Sequence, residues 1–251
     1  MLWLAAVALA ALPTLPVGLD ADPGVQPGGV VRSEAGLCTM NFLFRGSDGS
    51  RFIGTAGHCI LGEDGDLPGM VEPEGDTERV WAEGSGPEAS GAGGMRIGEF
   101  AYALHDRLRD FALVRLDPGV EAEAAMAHFG GPTGINDDLT QEPVVLQFYG
   151  QSPVGAAVPA RTLLALNMPR PGQVYATGIA GPGDSGSGVL SEDGRAVGVL
   201  VTLGDHRARN PEGLPEAGIV GINRIGPPMR GAAAALRISL ELVTADGETV
   251  S

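Results

Sequence analysis

The chain has 251 residues, 43% hydrophobic and 19% charged, so it can bury a large core and is not a disordered polymer. Its 31 acidic residues against 16 basic ones leave a net charge of −15, a field that repels phosphate backbones and anionic lipid. Nucleic acid and a stable membrane association are thereby disfavoured, and the 40 glycines and 19 prolines point to many short elements, hence to β structure.

Residues 2–12, "LWLAAVALAAL", are apolar over the length of a secretory leader core and too short to cross a bilayer. Residues 1–20 are therefore expected to be a signal peptide, and the protein to be secreted, extracellular or periplasmic. No Lys or Arg precedes the run, and a buried strand or short helix is the alternative. After an irregular lead-in over 20–34, the runs "LCTMNFLFR", "SRFIGTA" and "RDFALVRLDP" alternate or are continuously apolar between turn residues, as strands do. A further strand is predicted at Arg79–Ala82 and another over 95–104. Residues 117–143 are loop-rich, and "GVEAEAAMAHF" allows one or two helical turns in a crossover between halves. Strands are then expected at Val144–Tyr149, Ala160–Leu166, Gln173–Ala176, Gly188–Leu190, Ala196–Leu203 and Gly218–Ile225. The tail admits a short helix at Met229–Leu236 and a strand at Ile238–Thr244. So many short strands suit an all-β barrel or sandwich.

Acyl transfer at neutral pH needs a nucleophile, a base, a group that orients the base, and donors for the developing oxyanion. Each has a candidate. Ser185 lies in "GPGDSGSG", where glycines allow a tight turn exposing its hydroxyl and the amides of Gly183 and Ser185. His58 follows a strand-like run in "FIGTAGHC", and Asp110 opens "DFALVRL", where a carboxylate is costly unless paired. Taken singly, His58 reads equally well as a structural histidine and Asp110 as a cap. Asp106 is a rival acid, whereas His105, His128 and His206 sit in polar contexts and are expected to face solvent. The His and Cys spacings form no zinc pattern, "EDGD" at 63–66 reads as a solvated turn, and neither metal nor cofactor is expected. Cys38 and Cys59, an even pair in an exported chain, suit one disulfide, although a reduced pair is the alternative.

"TAGHC" at 55–59, "DFALVRL" at 110–116 and "GDSGSG" at 183–188 together resemble the signature regions of chymotrypsin-like serine endopeptidases, in particular bacterial secreted members. The resemblance spans Cys38–Ile225. It implies two six-stranded antiparallel β-barrels, an N-terminal one over 21–125 carrying His58 and Asp110 and a C-terminal one over 126–251 carrying Ser185. It further implies a catalytic His58, Asp110 and Ser185, an oxyanion hole from the Gly183 and Ser185 amides, a Cys38–Cys59 disulfide, and a polypeptide substrate. By the same likeness Ile179 and Ala180 lie near the base of the specificity pocket, with Thr202 to Gly204 on its other wall. An apolar base favours uncharged or apolar residues before the cleaved bond. Ser187 stands where the family most often has glycine, its hydroxyl expected on nearby main chain. Asp184 pairs in many relatives with a newly cut amino terminus, and no such start is evident before Cys38. A catalytically silent fold acting as a binding protein is the alternative. A serine esterase is disfavoured because the G-x-S-x-G elbow and its residue order are missing.

Overall fold

A computed structural model describes residues 23–62, 77–106, 109–136, 145–153, 157–170, 172–203 and 218–251. The expected leader at 1–20 and the acidic turn at 63–66 lie outside the described residues.

The N-terminal half supplies β1 (Val30–Ser33), β2 (Gly36–Thr39), β3 (Leu43–Gly46), β4 (Arg51–Thr55), a single helical turn α1 (His58–Leu61), β5 (Thr77–Val80), β6 (Glu88–Ser90), β7 (Arg96–His105) and β8 (Asp110–Leu116). The C-terminal half supplies β9 (Val145–Tyr149), β10 (Ala160–Arg170), β11 (Gln173–Gly178), β12 (Gly188–Ser191), β13 (Ala196–Leu203) and β14 (Ile219–Arg224). Helix α2 (Gly226–Leu236) and the short strands β15 (Leu240–Val243) and β16 (Thr249–Val250) end the chain.

The second half closes into an antiparallel six-stranded barrel in the order β10-β11-β14-β13-β12-β9. The first half does not close, which corrects the expectation of two barrels: it is a ten-stranded sheet running β16-β15-β3-β4-β8-β7-β6-β1-β2, with β5 paired to β7 off this path. "LCTMNFLFR" does not form one strand but is divided into β2 and β3. Between them the chain stays bonded to β4, the Asn41 N–H donating to Gly54 O at 2.8 Å and the Gly54 N–H to Phe42 O at 2.9 Å, while the Phe42 N–H donates to the Asn41 side-chain oxygen at 2.7 Å. β2 lies at one edge of the sheet. The outer side of β3 is taken by β15, which pairs Leu240 with Gly46 and Leu242 with Phe44.

Inward-facing residues of the first sheet pack Phe42, Phe44, Phe52, Phe100, Tyr102 and Phe111 into a fully buried cluster, with Phe44 and Phe111 edge to face at 5.9 Å. Full burial of such a side chain is worth about 1.5–3 kcal/mol, so this cluster is a main source of the first sheet's stability. Leu146, Phe148, Leu163, Val174, Val189, Leu200 and Ile222 fill the second barrel.

Between the halves, "GVEAEAAMAHF" forms no helix. Its amides bond outward instead, Glu123 N–H to Val25 O and Ala127 N–H to Pro27 O, before a β-bridge joins Met126 and Gly130. Helix α2 carries prolines in its first turn, where their missing N–H costs nothing, and ends on Arg237 in the left-handed region at φ 57°. It packs against β7. No helix among the described residues is long and apolar enough to cross a membrane.

Candidate active site

β4 delivers the chain into α1 through Ala56 and Gly57. A Cβ on Gly57 would stand 2.0 Å from Leu104 O, so only glycine lets this turn press against the end of β7. That approach sets His58 against the first residue of β8. His58 Nδ1 lies 2.6 Å from Asp110 Oδ2, and the His58 backbone N–H donates to Oδ1 at 3.0 Å. Asp110 is 4% exposed. Burial pushes its carboxyl toward the neutral form, but the charge and hydrogen bond of His58, with a contribution from His105, outweigh that penalty and hold it below the usual range. The next residue, Cys59, is disulfide-bonded to Cys38 on β2 and fixes the far side of the turn. Cys38, His58 and Cys59 bring their donor atoms within 4.8 Å of one another, but the two sulfurs are spent on each other.

Ser185 sits in a loop of consecutive tight turns before β12. Gly183 and Gly186 take φ of +100° and +89°, a region open to glycine at little cost. Within the loop the Asp184 N–H donates to Gly181 O, the Ser187 N–H to Asp184 O, and the Gly186 N–H to Leu200 O on β13. The Asp184 carboxylate anchors it. Arg161 on β10 donates to it through two guanidinium nitrogens, at 2.6 and 2.5 Å, while the N–H groups of Gly181 and Ser152 each donate at 2.9 Å. Arg161 also stacks over the Phe148 ring at 4.6 Å, and Gly150 makes room for the pair, since a Cβ there would meet Asp184 Oδ1 at 2.2 Å.

Thr39 joins the two halves of the site. Its N–H donates to Ser185 O at 2.8 Å and its hydroxyl to Gly183 O at 2.7 Å, so the edge of the first sheet holds the loop by main-chain oxygens. Gly186 is pressed against the same edge: a Cβ would lie 2.2 Å from Thr55 Oγ1 and 2.4 Å from Thr39 O. Among the described residues, the N–H groups of Gly183 and Ser185 have no acceptor and the Ser185 hydroxyl forms no hydrogen bond. Ser187 is fully buried, and among the described residues its hydroxyl does not find the main-chain partner expected of it.

Of the expected pocket residues, Ile179 is 65% exposed, Ala180 packs against the second core, and Thr202 pairs with Gly221 in the barrel, while Gly204 lies outside the described residues. Asp106 is turned to Arg109, which it accepts at 2.7 Å through the backbone N–H. His128 stacks edge-on with Phe129, and His206 lies outside the described residues. Two residues were missed. His105 was assigned to solvent, yet its ring stands 5.9 Å from that of His58. Arg161 carried a signal: a charge near the start of the apolar run "ARTLLAL" needs a partner wherever the strand buries it.

No protein-family model matches the chain, nor does any curated protein. Solved structures do. A glutamic-acid-specific serine protease that uses a histidine triad in substrate binding aligns at TM-score 0.54 and 16% identity, over 85% of this chain and 98% of its own. A chymotrypsin of Cellulomonas bogoriensis aligns at 0.51 and 19%, over 82% and 94%, and protease A of Thermobifida fusca at 0.50 and 17%, over 86% and 97%. At these identities the likeness defines a fold: the chain has the architecture of chymotrypsin-like serine proteases. The Cys38–Cys59 disulfide beside His58 and the His58–Asp110 ion pair are consistent with that architecture.

Proposed function

We propose that the protein is a serine endopeptidase that cleaves peptide bonds through an acyl-enzyme. The observation that carries this reading is the two-point grip of Asp110 on His58, across Thr39 from a serine loop whose Gly183 and Ser185 amides lack acceptors among the described residues. In this role His58 takes the Ser185 proton as the serine oxygen attacks the scissile carbonyl, then gives it to the leaving amine. Asp110 stays ionised, fixes the imidazole tautomer through Nδ1 and stabilises the imidazolium. The two amides receive the oxyanion, and water repeats the sequence to free Ser185.

Arg161 supports a further part of the reading. Arg161 on β10 occupies the Asp184 carboxylate, the group that in many relatives pairs with a cut amino terminus, which supports a serine loop ordered without that pairing. Ile179, Ala180, Thr202 and Gly204 are proposed to line the pocket. None is charged, which favours an uncharged or apolar residue before the scissile bond. Export is part of the proposal, supported by the apolar run at 2–12 and by the disulfide.

Incubation of the purified protein with a peptide library, followed by mass spectrometry, tests the function. Cleavage that disappears in Ser185→Ala supports it; a folded protein that leaves every peptide intact identifies a silent, binding fold instead.

A further inference from the structure

Thr39, the last residue of β2, is fully buried, and each of its polar groups is engaged at the site. Its hydroxyl donates to Gly183 O at 2.7 Å and accepts the Gln151 N–H at 3.1 Å, while its own N–H donates to Ser185 O at 2.8 Å. Its carbonyl accepts the Thr55 hydroxyl of β4 at 3.0 Å. Gln151 is tied down in turn, its side-chain amide donating to Gly28 O at 2.6 Å. The hydroxyl of Thr39 therefore hangs Gly183 from a braced point.

The two carbonyls in this grip belong to Gly183 and Ser185, the residues whose N–H groups have no acceptor among the described residues. Gly183 depends on it more. It stands at φ +100°, has no side chain to restrict it, and among the described residues the Thr39 hydroxyl is the one hydrogen-bond partner of its main chain. A glycine so placed turns its peptide planes at little cost. A stiffer residue does not fit there, since a Cβ would meet Ser152 Cα at 3.2 Å and Gln151 O at 3.3 Å at a φ that side chains avoid.

We propose that the Thr39 hydroxyl is a positioning group for the oxyanion hole: by holding Gly183 O beside Gln151, it keeps the Gly183 N–H aligned with that of Ser185. The proposal rests on the proteolytic reading of Ser185. A donor stabilises an oxyanion only if it is already in place when the charge develops, and loss of one such donor costs about 10²–10³ in kcat. Thr39 is buried and acts through Gly183, so removing its hydroxyl loosens the donor and forfeits part of that factor. The loss falls on kcat rather than KM, because the interaction is made chiefly in the transition state.

The test is kcat and KM on a peptide substrate for the wild type, Thr39→Val, Thr39→Ser and Thr39→Ala, together with inhibition by a peptidyl trifluoromethyl ketone, whose adduct with a serine places an oxyanion in the hole. Thr39→Val keeps the shape and deletes the hydroxyl. It is expected to lose about tenfold or more in kcat, with KM within about twofold, and to bind the ketone more weakly by the factor lost in kcat/KM. Thr39→Ser keeps the hydroxyl and is expected to retain most of the wild-type rate. A kcat in Thr39→Val that stays near the wild-type value, a loss confined to KM, or a loss that Thr39→Ser shares overturns the proposal. Should Thr39→Val fail to fold, Thr39→Ser and Thr39→Ala, which differ by the hydroxyl alone, are compared in the same way, and equal rates overturn it. Should the wild type cleave no peptide, the proteolytic reading falls separately. Hydrogen exchange at the Asp184 and Ser187 amides, which close the turns of the loop, then decides: faster exchange in Thr39→Val supports the hold on Gly183, and equal exchange overturns it.

Discussion

Arg161 on β10 and Asp184, the residue before Ser185, form a buried two-bond ion pair at 2.6 and 2.5 Å. Removing the arginine alone leaves a fully buried carboxylate without its counter-charge, which costs about 3–5 kcal/mol. Arg161→Met is expected to lower the melting temperature sharply and to abolish peptidase activity, because Gly181 to Ser185 lose their anchor. The double variant Arg161→Met/Asp184→Leu is expected to recover much of the stability but not the activity, since the carboxylate to which the Gly181 and Ser152 N–H groups donate, and which holds the serine loop, is gone. Thermal unfolding and kcat/KM on the three proteins check both parts.

Asp110→Asn keeps the shape of the pair but gives His58 an amide instead of an anion. Loss of about 10⁴ in kcat is expected, with the fold retained. The depressed carboxyl of Asp110 also has a consequence for stability. A folded-state value below 3.8 means that its contribution is fully present above the unfolded value and is lost as pH falls through the folded one. Unfolding midpoints in urea below pH 4 are therefore expected to fall less steeply in Asp110→Asn than in the wild type.

Ser185 and Ser187 are expected to respond in opposite ways. Ser185→Ala removes turnover and leaves stability nearly unchanged. Ser187→Ala deletes a buried hydroxyl that has no partner among the described residues, so it is expected to keep activity and to gain up to about 1 kcal/mol in a denaturant titration.

Gly186 holds a positive φ against Thr55 and Thr39. Gly186→Ala adds a Cβ where backbone stands and is expected to cost well over ~1 kcal/mol and to push the serine loop off the first sheet. Loss of protection of the Thr39 amide in hydrogen exchange would report that displacement, because this N–H donates to Ser185 O.

The disulfide closes a separation of 21 residues, for which the chain-entropy account gives about 3 kcal/mol. Cys38→Ser/Cys59→Ser is expected to lose roughly that much and to slow turnover as well, since Cys59 adjoins His58. A double variant with full stability and full rate would show that β4 and β8 hold the turn unaided.

Much of this site was legible in the sequence because its chemistry is local. Glycines flank Ser185, a strand-like run ends just before His58, and Asp110 opens another, so each candidate stood out by residue type and context. Most strands were legible for the same reason, from alternation between turn residues. The open first sheet was not. Its outer strand β15 arrives from the far end of the chain to pair with β3, a long-range pairing that leaves no periodic trace. His105 was misread because "HDRLRD" looks like a polar turn, whereas register places its first residue opposite Asp110. The partner of Asp184 was hidden by distance along the chain, its one trace a charge near the start of the apolar run "ARTLLAL".

Labelling with a fluorophosphonate, followed by peptide mapping, tests the central claim most directly. The reagent is expected to modify Ser185 alone and to leave a folded His58→Ala protein unmodified. Modification at Ser187, or an unlabelled wild type that unfolds cooperatively, would contradict it.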